Sequence, residues 1–191
     1  MVHAAPVAVM LMTPEEFLVY PLPDGKGELV RGELRVTPPA MGPHGRAATN
    51  VVARLLVHVE AHSLGWVFAD GVGYLLLELP RTVRCPDASF VRADRVPAEG
   101  IGPGFLRLAP DLAVEVLSPN ESASELEEKL EDYRTCGTSL IWVVDPVRRT
   151  VMIVASDAPV RWLREGDMID GGTVIPGFSC EVADLFKGIA R

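Results

Sequence analysis

Three residues have types and surroundings suited to chemistry on a charged substrate: Asp87, Glu115 and Lys129. Glu115 interrupts the apolar run in DLAVEVLS, residues 111–118. A carboxylate taken into a strand interior is costly unless it is neutralised, paired or metal-bound. Strand alternation puts it on the face shared by Ala113 and Leu117. It falls near the C-terminal end of that strand, where open α/β sheets carry their sites. A structural ion pair with an Arg or Lys is the competing reading. Asp87 interrupts a second β-rich run, VRCPDASFV, residues 83–91. Pro86 before it removes one ladder donor, which marks an edge or a bulge. A plain turn aspartate after proline is the alternative there.

Two carboxylates on neighbouring strands repel, by about 4 kcal/mol at ~4 Å with an effective dielectric of roughly 20. A hard divalent cation turns that repulsion into binding, and Mg2+ (or Mn2+) is commonly held by one or two carboxylates with water and substrate phosphate. Lys129 lies in ELEEKLEDYR, residues 125–134, three positions after Leu126 and four before Tyr133. It therefore borders the apolar stripe of Leu126, Leu130 and Tyr133 on a helix. A surface lysine among acidic neighbours is the other reading. A cation and a lysine together lower the pKa of an attacking water and offset charge building on a phosphodiester.

These side chains need a sheet and helices to bring them together. Thr13 and Pro14 start a short helix, with Thr13 as its N-cap. Residues 28–37 suggest two strands around the Arg31-Gly32 turn. From 45 to 63 the apolar residues Ala48, Val51, Val52, Leu55, Leu56 and Val59 recur at helical spacing, and Gly65 ends the run. Strand signals follow at 66–69, 72–77, 83–91 and 112–117. A helix over about 122–136, ended by Gly137, separates the last of these from a buried strand at 139–144. That order implies a crossover and a parallel pair. A further strand covers 150–155, and the tail carries short strand signals with glycine turns. The expectation is an α/β fold: a mixed central sheet flanked by helices, in a single domain over residues 1–191.

Composition narrows the function classes. A length of 191 residues with 48% hydrophobic and 23% charged residues suits one packed core rather than a disordered chain. The net charge of −8 disfavours a general coat on nucleic acid, though a local cation can still neutralise a carboxylate site. Cys85, Cys136 and Cys180 are far apart and lack paired spacing, so they read as reduced thiols of a cytoplasmic protein rather than zinc ligands. The opening MVHAAPVAVMLM lacks a basic start and is interrupted by Pro6; it reads as a frayed or packed terminus and not a signal peptide. No apolar window is long enough to span a membrane.

The ordered set of GELVRGEL, the Pro86-Asp87 pair, PDLAVEVLSPN, the K-L-E-x-Y helix, IWVVDPVRRTV and GGTVIPGFSCEVADLF resembles the Uma family of "putative restriction endonucleases", in the PD-(D/E)XK nuclease-like superfamily. The resemblance covers residues 13–187. It implies a restriction-endonuclease-like core with extra N- and C-terminal β segments. It also implies a Mg2+- or Mn2+-dependent endonuclease, with DNA as the expected nucleic-acid partner and a homodimer as a natural arrangement for cutting two strands. It maps Asp87 and Glu115 onto the metal-binding acids, with the Val116 carbonyl as a further ligand. The usual lysine would fall at Leu117, so the resemblance moves that role to Lys129 on the next helix. Glu33 and His44 match further family positions and become candidate additional site residues. Their plainer readings are a hairpin carboxylate and a helix-start residue. A non-catalytic interaction module that keeps the fold is the rival function; Leu117, the acidic charge and the lack of a clear basic patch favour it.

Overall fold

The computed structural model describes residues 11–22, 24–119 and 121–190. Most of the N-terminal segment expected to be packed or frayed lies outside the described residues. Helix α1 (Pro14–Leu18) is started as its sequence indicates: the Thr13 hydroxyl accepts from the Glu16 N–H, and the Glu16 carboxylate accepts from the Thr13 N–H. Strands β1 (Lys26–Val30) and β2 (Glu33–Thr37) form a hairpin. Its two turn residues, Arg31 and Gly32, have φ of 53° and 87°, the positive values that match the twist of a two-residue hairpin.

Helix α2 (Gly42–Ala61) begins three residues earlier than its apolar pattern suggests, with Pro43 in its first turn. Strands β3 (Gly65–Ala69), β4 (Tyr74–Leu77), β5 (Thr82–Arg84) and β6 (Ala88–Arg92) follow. Then come β7 (Leu112–Val116), helix α3 (Ala123–Thr135), β8 (Leu140–Asp145), β9 (Thr150–Ala155) and β10 (Ala158–Arg164). The tail adds β11 (Met168–Asp170), β12 (Ser179–Glu181) and the short helix α4 (Val182–Leu185).

A six-stranded sheet in the order β10-β9-β8-β7-β6-β3 forms the centre. Its β7–β8 pair is parallel, Glu115 lying opposite Val143, and α3 is the crossover. All other pairs in that sheet are antiparallel. A smaller sheet, β2-β1-β5-β4, stands beside it, and β11 pairs with β12. The result is the expected mixed sheet with helices on its faces and extra β segments towards both ends.

One strand of the sequence reading is divided in the structure. Residues 83–91 look like one strand but form two, in different sheets: β5 belongs to the small sheet and β6 to the large one. The chain crosses between them at residues 85–87. Pro86 has no N–H to continue a ladder, so the strand is interrupted at that point.

The two faces of the large sheet bury different things. On one, Val114 and Val116 of β7 and Trp142 and Val144 of β8 pack with Ala47, Val51, Leu55 and Val59 of α2 and with Phe178, Leu185 and Phe186 from the tail. On the other, Ala113 and Ile141 pack under Tyr133 of α3. Strand alternation thus sends Glu115, which has the parity of Ala113, towards α3. At the outer edge, β10 carries Pro159, a register shift between Ala158 and Arg161, and Trp162 at 64% exposure. Among the described residues no helix is long and apolar enough to cross a membrane.

Trp142 is fully buried, and its indole N–H has no hydrogen-bond partner among the described residues. Trp142→Ala should therefore cost about 3–5 kcal/mol in urea denaturation. Trp142→Phe should cost markedly less, because no hydrogen bond is lost with the ring nitrogen. Equal losses for the two variants would refute this account of the core.

Candidate active site

Glu115 is 1% exposed, and each of its carboxylate oxygens has a separate donor from α3. The Lys129 ammonium donates to Oε2 at 3.0 Å, and the Tyr133 hydroxyl donates to Oε1 at 2.8 Å. Lys129 and Tyr133 are four residues apart, one turn of helix, so both reach the same strand residue. Lys129 also contacts Glu121, at 2.9 Å. The helix that presents this pair is fixed at its start by a capping box, in which Ser122 and Glu125 exchange hydrogen bonds.

Asp87 lies where the two sheets part. Its backbone N–H donates to the Val114 carbonyl, and its side-chain Oδ2 accepts from the Val116 N–H at 2.7 Å. The carboxylate thus takes the place of strand backbone beside β7 and satisfies an N–H that the departing strand leaves. Oδ1 accepts from the Lys26 ammonium at 2.7 Å, and His44 Nε2 lies 3.2 Å from Oδ2. Lys26 reaches on to Asp70 at 2.8 Å. Gly25, just before it, has φ of 139°, and a Cβ there would strike the Thr37 carbonyl, so glycine is required where the chain enters β1.

The site therefore holds two carboxylate–ammonium–carboxylate bridges. Asp87–Lys26–Asp70 comes from the sheet junction, β1 and the end of β3; Glu115–Lys129–Glu121 comes from β7, α3 and the loop between them. Residues Glu115 and Val116, adjacent on β7, join the two. A cleft of about 930 Å3 opens over this arrangement, with Lys26, His44, Asp70, Asp87, Val116 and Lys129 in its lining. Phe17, stacked on Phe105 at 5.4 Å between ring centroids, supplies an apolar wall.

A third network holds the helix in place. Arg84, 1% exposed at the end of β5, donates from Nη1 to Glu28 Oε2 at 3.0 Å. Its Nε and Nη2 donate to Asp132 Oδ2 at 2.9 and 2.6 Å. Glu28 Oε1 accepts in turn from the Cys85 N–H. Arg31 and Arg35 of the hairpin pair with Glu128 of α3. These ties bind the small sheet to the helix face that carries Lys129.

The electrostatics separate the two central carboxyls. Burial pushes the Glu115 carboxyl above its ordinary range, and the Lys129 charge opposes this without cancelling it. Burial also works against the Asp87 carboxylate, but the His44 hydrogen bond and the Lys26 charge outweigh it and hold that pKa well below the usual range. Burial likewise disfavours the two ammonium groups, and the surrounding carboxylates overcome it, so Lys26 and Lys129 stay charged. His44 is raised: burial lowers it, but the hydrogen bond to Asp87 more than compensates.

Of the residues singled out in the sequence, Asp87, Glu115, Val116, Lys129 and His44 come together. Glu33 stands at the start of β2, opposite Val30 and in a bridge to Leu11, outside the cleft lining. The hairpin carboxylate that reaches inwards is Glu28. Lys26, Asp70 and Glu121 were not singled out from sequence; they lie in or beside turns with no local period to mark them. Tyr133 was readable only as part of an apolar stripe, although its spacing from Lys129 was visible.

Asp87 gives a pH signature with a definite sign. A depressed carboxylate contributes stability that is complete above its unfolded value of about 3.9 and is lost as pH falls towards the folded value. Asp87→Asn should be less stable than wild type at neutral pH and should lose less stability between roughly pH 5 and pH 2. Denaturation across that range checks this; parallel curves would contradict the assigned coupling.

The Uma2 family, described as "Putative restriction endonuclease", matches residues 14–183. Among solved structures, the chain is similar to a protein of Anabaena variabilis ATCC 29413 described as a putative nuclease belonging to DUF820. That likeness has a TM-score of 0.80 at 21% identity and covers 92% of this chain and 97% of the other, which establishes a shared fold. No curated protein matches the sequence. With the family match extending over most of its length, this chain belongs to the Uma2 family.

Proposed function

We propose that the cleft is the active centre of a divalent-metal-dependent endonuclease that hydrolyses phosphodiester bonds, with DNA as its substrate. One observation carries the reading: Asp87, bound to the Val116 N–H, and Glu115, the residue before Val116 on β7, are both nearly inaccessible carboxylates and each is held against a cation. The nuclease description of the family supports the same class. The three cysteines form no disulfide, which fits a reducing, cytoplasmic setting.

The donor set suits a hard cation. Carboxylate oxygens are the ligands that Mg2+ and Mn2+ favour, and here they are already arranged around positive charge. Among the described residues no group of three His, Cys, Asp or Glu side chains is arranged to hold a metal, so backbone and water oxygens would complete the shell. Asp87, Glu115 and the Val116 carbonyl would hold the ion. When bound, it would supply Lewis acidity to a phosphoryl oxygen and lower the pKa of a coordinated water.

The chain's own residues have distinct tasks. Tyr133 fixes the orientation of Glu115 through Oε1. Lys129, anchored between Glu115 and Glu121, directs an ammonium into the cleft, where it can orient water and offset charge on the phosphorane. His44 and the Val116 N–H hold Asp87 in place. A homodimer would place two such clefts on opposite strands of a duplex.

A non-catalytic module retaining the fold is the second reading. It is favoured by the pairing of both central carboxylates with protein cations. Incubation of supercoiled plasmid with Mg2+ or Mn2+ separates the two. Wild type should nick it, and the folded Glu115→Gln and Lys129→Met variants should lose at least about a hundredfold in rate. Identical backgrounds for wild type and both variants, on DNA and on RNA, would overturn the catalytic reading.

A further inference from the structure

Lys26 has no part in the catalytic scheme above, yet it holds the position a cation would need. Its ammonium lies 2.7 Å from Asp87 Oδ1 and 2.8 Å from Asp70 Oδ1. The other Asp87 oxygen is taken by the Val116 N–H and His44. Oδ1 is therefore the face of Asp87 left for a metal, and Lys26 covers it. The two carboxylates that share Lys26 differ in setting. The Asp87 side chain is 5% exposed, whereas that of Asp70 is 49% exposed and lies at the solvent side of the cleft.

We propose that Lys26 is a resident cation that competes with the divalent ion for Asp87, and that Asp70 is where its ammonium stays when the ion binds. This inference rests on the metal-dependent reading of the site and adds a regulatory residue to it. The physical basis is charge repulsion. A divalent cation and an ammonium held on the same oxygen repel each other strongly in a partly buried cleft. Release of Lys26 into the interior with no partner would add the cost of an unpaired buried charge. Asp70 removes that cost, because the ammonium already touches it and needs only to give up its second contact. The exchange moves the ammonium towards the more exposed carboxylate.

The arrangement sets the effect of each residue on metal affinity apart from its effect on rate. With Lys26 replaced by a neutral side chain, the ion meets no competitor. With Asp70 neutralised, the displaced ammonium has nowhere to go, so the ion binds less well. That second effect requires Lys26 to be present, so the two substitutions are coupled rather than additive.

Calorimetric titration of the full chain with Mn2+ alone, in the absence of nucleic acid, tests this. Lys26→Met and Lys26→Gln should each bind Mn2+ at least about tenfold more tightly than wild type. Two replacements are used so that one folded variant, verified by circular dichroism, suffices. Asp70→Asn should weaken binding in the wild-type background and have no effect in the Lys26→Met background. Affinity in the Lys26 variants equal to or below wild type would overturn the proposal. An equal loss from Asp70→Asn in both backgrounds would also overturn it, by making Asp70 a ligand instead of a resting place. Wild-type binding that depends on Asp87 but ignores Lys26 would sink this inference and leave the metal site standing. No Mn2+ binding by any variant would remove both.

Discussion

Glu115, buried near the C-terminal end of β7, is the constraint on which the rest of the cleft depends. A carboxylate at that depth has no water to solvate it, so the protein must supply donors on the same side of the sheet. One turn of α3 does so, with an ammonium for one oxygen and a phenol for the other. This demand fixes more than the two contacts. It requires α3 to cross that face of the sheet in one rotational setting, because a helix turned by a single residue would swing Lys129 and Tyr133 about 100° away. The Arg84–Asp132 and Arg31–Glu128 pairs enforce that setting by tying the small sheet to the same helix. The hairpin is thereby a strut for the helix as well as one wall of the cleft.

A second consequence follows from where Asp87 sits. The chain leaves one sheet and enters another at that point, and the backbone groups of β7 lose a neighbour there. Side-chain carboxylate replaces the missing backbone, so the residue that faces a cation is also one that closes the sheet. Such a dual role makes the position hard to substitute: a neutral replacement changes both an electrostatic partner and a ladder hydrogen bond. It also explains why the depressed pKa of Asp87 and the raised pKa of Glu115 coexist against the same strand. One carboxylate has a backbone N–H, a histidine and a lysine; the other carries the full burden of burial with fewer donors.

What the sequence revealed, and what it hid, follows the range of the interactions. The direction of Glu115 was legible from strand parity, and the crossover at α3 from the change of period between two apolar runs. The bordering position of Lys129 was legible from helical spacing. In each case a local repeat carries the information. The division of residues 83–91 was only hinted at by Pro86, because the choice of partner sheet is made by β1 and β7, both distant in sequence. Lys26 and Asp70 were invisible for a related reason. They are separated by β2, α2 and β3 and meet only after the hairpin and β3 have found their sheets. The pairing of Asp87 with Glu115 came from two carboxylates intruding in neighbouring β-runs and was reinforced by the family resemblance; no periodicity in the chain expresses it.

The outer strand β10 has a consequence for how the molecule behaves in company. A free sheet edge exposes backbone donors and acceptors that another chain can extend. Here Pro159 withholds one donor, the register shift interrupts the first half of the strand, and the bulky charged side chains of Arg161 and Arg164 occupy the remainder. An incoming strand would find no continuous ladder to copy. The exposed indole of Trp162 is thus carried on an edge guarded against polymeric growth, and the central sheet ends at six strands.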